Sequence, residues 1–295
     1  MSPLTRDAWL EAHPYLRPIG EFSARVERAA DELVSGSASI PDWEHHRDEV
    51  LAGGPLLHAA DAPMDLEPAG RSVAALVHWL ASGTSGGNRE GEAAALDAEL
   101  RSTADASGRI VTWLLGDETW TPPSPGLLRY LGWTAMARFL RPVVEAFERW
   151  RDDERWLRNY CPTCGSGPAM AQLLGKDPAR RRLLVCGRCA TRWGYRRAQC
   201  PFCEKDSHRA SILAIEGEAG LRIDHCESCR GYLKTYDGQE DQALLLLDWT
   251  SLHLDLIARD RGLKRLAESL YALDDDRAAP FEEDRSGASP PGDSR

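Results

Sequence analysis

The stretch Cys161-Pro-Thr-Cys164, 21 residues, then Cys186-Gly-Arg-Cys189 is followed by a second copy: Cys200-Pro-Phe-Cys203, 22 residues, then Cys226-Glu-Ser-Cys229. These four C-x-x-C pairs contain all eight cysteines of the 295-residue chain. Two cysteines three apart in a tight turn aim both sulfurs at one point, and two such knuckles supply a tetrahedral four-sulfur site. Each intervening stretch has two apolar runs around a turn. In the first copy these are Met170 to Leu174 and Leu183 to Val185 around Gly175-Lys-Asp-Pro178; in the second, Ile212 to Ile215 and Leu221 to Ile223 around Gly217-Glu-Ala-Gly220. The expectation is a duplicated zinc-ribbon-type module, a β-hairpin with a knuckle before and after it. The near-equal spacings favour sequential sites, Cys161/Cys164/Cys186/Cys189 and Cys200/Cys203/Cys226/Cys229. A competing arrangement joins the two inner pairs across ten residues and lets the outer pairs meet. A thioredoxin-like redox pair needs a βαβ context that the Gly/Pro-rich surroundings do not offer. A short segment with eight cysteines and few apolar residues needs its metal to fold, since a structural site contributes roughly 10–16 kcal/mol.

Outward from this module, residues 1–156 read as a helical domain. Phe22, Val26, Ala29, Ala30 and Leu33 recur at helical spacing before Gly36, and Val73, Leu76, Val77 and Leu80 do so before Gly83. Ser124-Pro125 starts a further helix, with Ser as cap and Pro in the first turn, and Pro142 predicts a kink or break in it. Thr84 to Gly91 reads as a polar loop. Eight of the ten tryptophans lie in this part and read as packing residues. The remaining boundaries follow: modules at 157–199 and 200–238, a C-terminal helical segment at 239–273 interrupted near Gly262, and a tail at 274–295 with the composition of disorder. The fold class is α+β.

The net charge of −10 argues against general nucleic-acid binding, yet charge is uneven. Cys161 to Gln199 carries Lys176, Arg180, Arg181, Arg182, Arg188, Arg192, Arg196 and Arg197 against one acid, Asp177. Part of that excess balances the −2 of a divalent ion in four thiolates; the rest predicts a docking surface for an acidic partner or, less favourably, nucleic acid. Apolar runs reach only five residues, as at Ala243 to Leu247, so no membrane span is expected. Met1-Ser-Pro-Leu-Thr-Arg-Asp lacks the pattern of a secretory signal, and the cytoplasm is the expected compartment.

No hydrolase triad or phosphate-binding glycine motif is present. His253 and Asp255 are two apart and face different sides of a helix, so they make no dyad, and His45-His46 lacks a zinc-protease context. His225, beside Cys226, and His208 read as ordinary polar residues, because four sulfurs complete each site. No active site is expected.

Cys161-Pro-Thr-Cys-Gly-Ser-Gly-Pro168, Cys186-Gly-Arg-Cys-Ala-Thr-Arg-Trp193, Cys200-Pro-Phe-Cys203 and His225-Cys-Glu-Ser-Cys-Arg-Gly-Tyr-Leu-Lys-Thr235 together resemble the formate dehydrogenase accessory (formation) protein family, FdhE. His13-Pro-Tyr, Phe22-Ser-Ala-Arg25-Val-Glu-Arg28 and Trp249-Thr-Ser-Leu-His-Leu-Asp-Leu256 resemble it too, whereas Arg192 replaces an acidic residue of the pattern and the tail has no match. The resemblance implies a cytoplasmic, non-enzymatic maturation factor that binds the catalytic (alpha) subunit of respiratory formate dehydrogenase before export. It implies rubredoxin-like modules binding two metal ions through all eight cysteines, iron favoured over zinc. The helical domain and the basic hairpin become client surfaces, and a homo-oligomer is left open. The alternatives are a rubredoxin-type electron carrier and a zinc-ribbon nucleic-acid binder.

Overall fold

The computed structural model describes residues 4–60, 63–83, 89–117, 119–176, 180–206, 210–218, 220–238 and 242–272. The predicted tail, most of the 84–91 loop, His208 and parts of both hairpin turns lie outside these residues.

Helices α1 (Arg6–Ala12), α2 (Arg17–Leu33), α3 (Arg47–Ala52), α4 (Glu67–Ala81), α5 (Glu90–Ser102), α6 (Ala106–Leu114) and α7 (Pro125–Trp150) precede the cysteines. Helix α4 is central and packs against α2, α5, α6 and α7 through Val73, Leu76, Val77 and Leu80, all fully buried. The helix α7 does not end at Pro142; it continues to Trp150. Interior proline costs about 3 kcal/mol. Val143, Val144 and Phe147, buried beyond it, offset that cost by packing into the core.

Strands β1 (Pro168–Leu174), β2 (Arg181–Cys186) and β3 (Arg192–Tyr195) form one antiparallel meander. Strands β4 (Ala210–Ala214), β5 (Leu221–Cys226) and β6 (Gly231–Tyr236) form another. Each expected hairpin therefore gains a third strand after its second knuckle. The two meanders join into one sheet of order β3-β2-β1-β6-β5-β4, through parallel pairing of β1 with β6. Both copies run the same way across the sheet, so the duplication is a translation along it, and both pairs of knuckles lie at the same sheet end.

Helix α8 (Leu252–Asp260) follows two 3-10 turns, Ala243–Leu246 and Asp248–Ser251. Beyond Gly262 the helix does not resume, although Leu263, Leu266 and Leu270 keep helical spacing. The chain instead adds β7 (Lys264–Arg265), parallel to the start of β6. Gly262 turns it with a positive φ of 69°. The architecture is α+β: a helical region, a mixed sheet and a C-terminal helix.

Two cores result. The larger joins the helical region to Cys161, Cys164, Cys186 and Cys189. The smaller joins Trp9, Leu10 and Leu16 to Ile223, Tyr232, Trp249 and Leu254, so α1, while resting on α2 through Arg6 and Leu10, contributes its buried side chains to the core of the second meander.

Candidate metal centres

All eight cysteines come together, in the sequential pairing. Cys161, Cys164, Cys186 and Cys189 form one group and Cys200, Cys203, Cys226 and Cys229 the other. In the first, Sγ atoms are 3.5 Å apart for Cys161 and Cys189, 3.5 Å for Cys164 and Cys186, and 3.6 Å for Cys164 and Cys189. In the second, Cys200 and Cys229 are 3.8 Å apart, as are Cys203 and Cys226. A tetrahedral ion with metal–sulfur bonds of about 2.3 Å sets its sulfurs roughly 3.8 Å apart. The donor sets fit a thiophilic ion, and each group could hold one.

The knuckles share one backbone device. The residue after the second cysteine is left-handed in all four: Gly165 (φ 76°), Ala190 (62°), Glu204 (57°) and Arg230 (60°). That residue's N–H donates back to the carbonyl of the first cysteine, as from Gly165 to Cys161, Glu204 to Cys200 and Arg230 to Cys226. Only one knuckle uses glycine there, so three accept a strain of about 1–2 kcal/mol each. Backbone N–H groups also donate to sulfur: Arg188 and Cys189 to Cys186 (3.3 and 3.4 Å), Phe202 to Cys200 (3.4 Å) and Gly231 to Cys229 (3.3 Å). A Cβ on Gly231 would lie 2.6 Å from Leu266 and 3.1 Å from the Cys229 sulfur, so a side chain there would push on the site.

The first group is the more enclosed, with all four cysteines buried; Cys203 and Cys229 of the second are half-buried. Hydroxyls surround the first. Ser166 Oγ lies 3.1 Å from Cys186 Sγ and 3.3 Å from Cys164 Sγ, and Thr191 Oγ1 lies 3.1 Å from Cys189 Sγ and 2.8 Å from Thr163 Oγ1. Their roles were not legible beforehand, since Ser and Thr near a C-x-x-C pair are ordinary turn residues. The first knuckle is also tied to the helical region. Leu56 and Leu57 N–H groups donate to the Pro162 and Thr163 carbonyls, both at 2.9 Å.

The sulfurs do not ionise alike. Burial, with hydrogen bonds among the thiols, pushes Cys161 and Cys189 well up. At Cys186 burial is overcome by hydrogen bonds from Cys161, Cys164, Cys189 and Ser166, and its thiol falls well below the ordinary value. In the second group burial raises Cys229 to about 12. At Cys226 burial is overcome by the Cys229 and Ser228 N–H groups and the thiol drops to about 7. The first cysteine of each second knuckle is thus the favoured thiolate, and filling a site requires loss of the other protons.

Half of the basic hairpin is spent inside the molecule, while Lys176, Arg181, Arg196 and Arg197 are exposed. Arg180 pairs with Asp237, and buried Arg182 donates to the Gln199 carbonyl at 3.1 Å. Arg188 pairs with Glu268 through Nε at 2.9 Å, and Arg192 donates to Gln172 at 3.4 Å. The Arg192 backbone docks α7: its N–H donates to Glu148 and its carbonyl accepts from Arg151. His253 and Asp255 go to separate partners, Glu218 and Lys234, and make no dyad.

No protein-family model matches the chain. The Aquifex aeolicus protein FdhE homolog is 31% identical over 145 residues, 47% of this chain and 50% of that protein. The Pseudomonas aeruginosa protein FdhE homolog is 38% identical over 125 residues, 39% of this chain and 40% of that protein. In sequence, then, the chain spans about half or less of the length of these curated relatives. The crystal structure of the FdhE protein from Pseudomonas aeruginosa superposes with a TM-score of 0.59 at 25% identity, covering 91% of this chain and 96% of that one. The chain resembles the FdhE proteins. At 91% of this chain, the likeness to FdhE in fold reaches well beyond the cysteine module. Among the described residues, no helix is long and apolar enough to cross a membrane.

Proposed function

We propose that this chain is an accessory protein for formate dehydrogenase, acting in the cytoplasm on the enzyme's catalytic subunit before export, and that it is not itself an enzyme. The observation that carries this reading is the fold likeness to an FdhE protein across 96% of that chain, with two four-sulfur groups in place. On this reading Cys161, Cys164, Cys186 and Cys189 hold one ion and Cys200, Cys203, Cys226 and Cys229 hold another, iron being favoured over zinc. Iron would supply a one-electron couple and zinc a purely structural clamp. The chain's own contribution is to keep both sulfur sets gathered at one end of a rigid sheet. The nucleic-acid alternative loses half of the basic run that motivated it, because Arg180, Arg182, Arg188 and Arg192 serve internal contacts while Lys176, Arg181, Arg196 and Arg197 are exposed.

The test is genetic and biochemical. In a host that makes respiratory formate dehydrogenase, deleting the gene should abolish formate oxidation, and the tagged chain should restore it and capture the catalytic subunit. Full activity after deletion, with no capture, would refute the reading. Metal analysis and a visible spectrum of anaerobically purified protein decide between iron and zinc.

A further inference from the structure

His13, Glu218 and His253 are remote in sequence and belong to neither cysteine group, yet their ligand-type atoms lie within 4.8 Å of one another. His13 caps α1, Glu218 sits in the turn between β4 and β5, and His253 is in the first turn of α8. The turn is at the opposite end of β5 from Cys226, so the cluster and the second sulfur group occupy opposite ends of one meander. Glu218 Oε1 lies 3.2 Å from His13 Nε2 and 2.6 Å from His253 Nε2. All three side chains are nearly buried, at 9%, 8% and 11% exposure for His13, Glu218 and His253.

The hydrogen bonding of His13 orients its ring toward Glu218. Its Nδ1 lies 3.0 Å from the Trp9 carbonyl, an obligate acceptor, so Nδ1 carries a proton. Its Nε2 faces a Glu218 oxygen at 3.2 Å. With Nδ1–H held by the Trp9 carbonyl, a neutral ring turns the Nε2 lone pair toward Glu218, where a bound cation would bridge the two. A backbone carbonyl that fixes Nδ1–H and turns Nε2 toward the ligand site is the usual support of a metal-bound histidine. Trp9 reinforces the orientation by stacking on the His13 ring at 3.8 Å.

Two further atoms point the same way. Among the described residues, Glu218 Oε2 and His253 Nδ1 are buried without a hydrogen-bond partner. A small rotation of the Glu218 carboxylate would offer that spare oxygen as a ligand in place of its contacts with the two imidazoles. Zinc-class ions bind nitrogen and carboxylate oxygen at about 2.0–2.1 Å, which sets ligand atoms roughly 3.3 Å apart. The observed separations need only a small opening around Glu218.

We propose that His13, Glu218 and His253 form a third metal site, taking a divalent first-row transition ion of the zinc class through two imidazoles and one carboxylate. Calcium is disfavoured because it takes six to eight oxygens. Three protein ligands leave a coordination position for water or a small anion. Tyr15, 58% exposed, lies edge-on to both imidazoles and separates the site from solvent by one side chain.

The test uses the full chain with both cysteine groups filled by zinc, titrated with cobalt(II) while stoichiometry and absorption are followed. The wild type should bind one further equivalent with weak visible bands and no sulfur-to-cobalt charge transfer. Glu218→Gln and His253→Ala should weaken that equivalent by more than about 100-fold, beyond what loss of an outer partner costs, while both zinc ions are retained. No further equivalent in the wild type, charge transfer showing that it sits on thiols, or undiminished binding in both variants would overturn the proposal. Should either variant lose its zinc and so fail to fold, cadmium-113 NMR of the cadmium-saturated wild type decides. A third resonance far from the two four-sulfur signals supports the site, and only two resonances refute it.

Discussion

The two four-cysteine groups descend from one repeated pattern and share their knuckle geometry, yet they sit in different surroundings. The first is buried in the main core, ringed by Thr163, Ser166 and Thr191 hydroxyls and bonded to the helical region through Leu56 and Leu57. The second has two half-buried cysteines, and its sulfurs take their described donors from the backbone. Its meander is held instead by a buried ion network. Lys234 Nζ, 1% exposed, lies 2.6 Å from Asp248 and 3.0 Å from Asp255, and Arg265 pairs with both acids. The corresponding position on β3 is Gly194. Duplication thus set the ligand geometry, while the neighbours set how much of the fold depends on each site.

That contrast can be broken most directly by removing a ligand from either side. Cys186→Ser should cost most of the roughly 10–16 kcal/mol that a structural site supplies, and because the site is part of the main core, α4 and α7 should lose hydrogen-exchange protection with it. Cys226→Ser should lose its metal but leave those helices protected. Equal loss of helical protection in both variants would erase the distinction.

Next in size is the ion network of the second meander. Lys234→Met leaves buried Asp248 with Arg265 as its remaining cationic partner among the described residues and should lower stability to urea by less than the roughly 3–5 kcal/mol of a fully broken buried pair. The pH dependence follows from Asp248. Burial alone would raise its pKa, but Lys234 and Arg265 hold it well below the ordinary carboxylate range. A depressed carboxylate contributes stability that is full above its unfolded value, near 4, and is lost as pH falls through the folded value. Wild type should therefore lose stability below about pH 4, and Lys234→Met should show a flatter acid limb in pH-dependent denaturation. A parallel limb would remove the network from the account.

Smaller effects sharpen the comparison from the first site. Thr191→Val keeps the shape but removes the hydroxyl beside Cys189, and should cost about 1–3 kcal/mol in thermal or chemical unfolding. Smallest is relief of knuckle strain. Ala190→Gly should raise stability by less than about 1 kcal/mol, because the gain at positive φ is partly cancelled by a more flexible unfolded chain. A loss of stability would show that the Ala190 methyl packs more usefully than its backbone strain costs.

Much was legible in the residues alone because it is local. Thiol pairs three apart, two near-equal spacings and helical periodicity each depend on neighbours within one element. They sufficed for the α+β class and the sequential grouping of sulfurs. Helix α7 past Pro142 and the loss of helix after Gly262 were not legible, because burial of Phe147 and pairing of Lys264 with Gly231 overrule local propensity. The basic run read as a surface, yet Arg180, Arg182 and Arg188 find partners at Asp237, Gln199 and Glu268, the last eighty residues away. The joining of the meanders by β1 and β6, the differing enclosure of the two sites and the meeting of His13 with Glu218 and His253 were decided only by tertiary structure. Each depends on segments dozens to hundreds of positions apart, whose proximity comes from burying shared apolar surface rather than from any spacing in the chain.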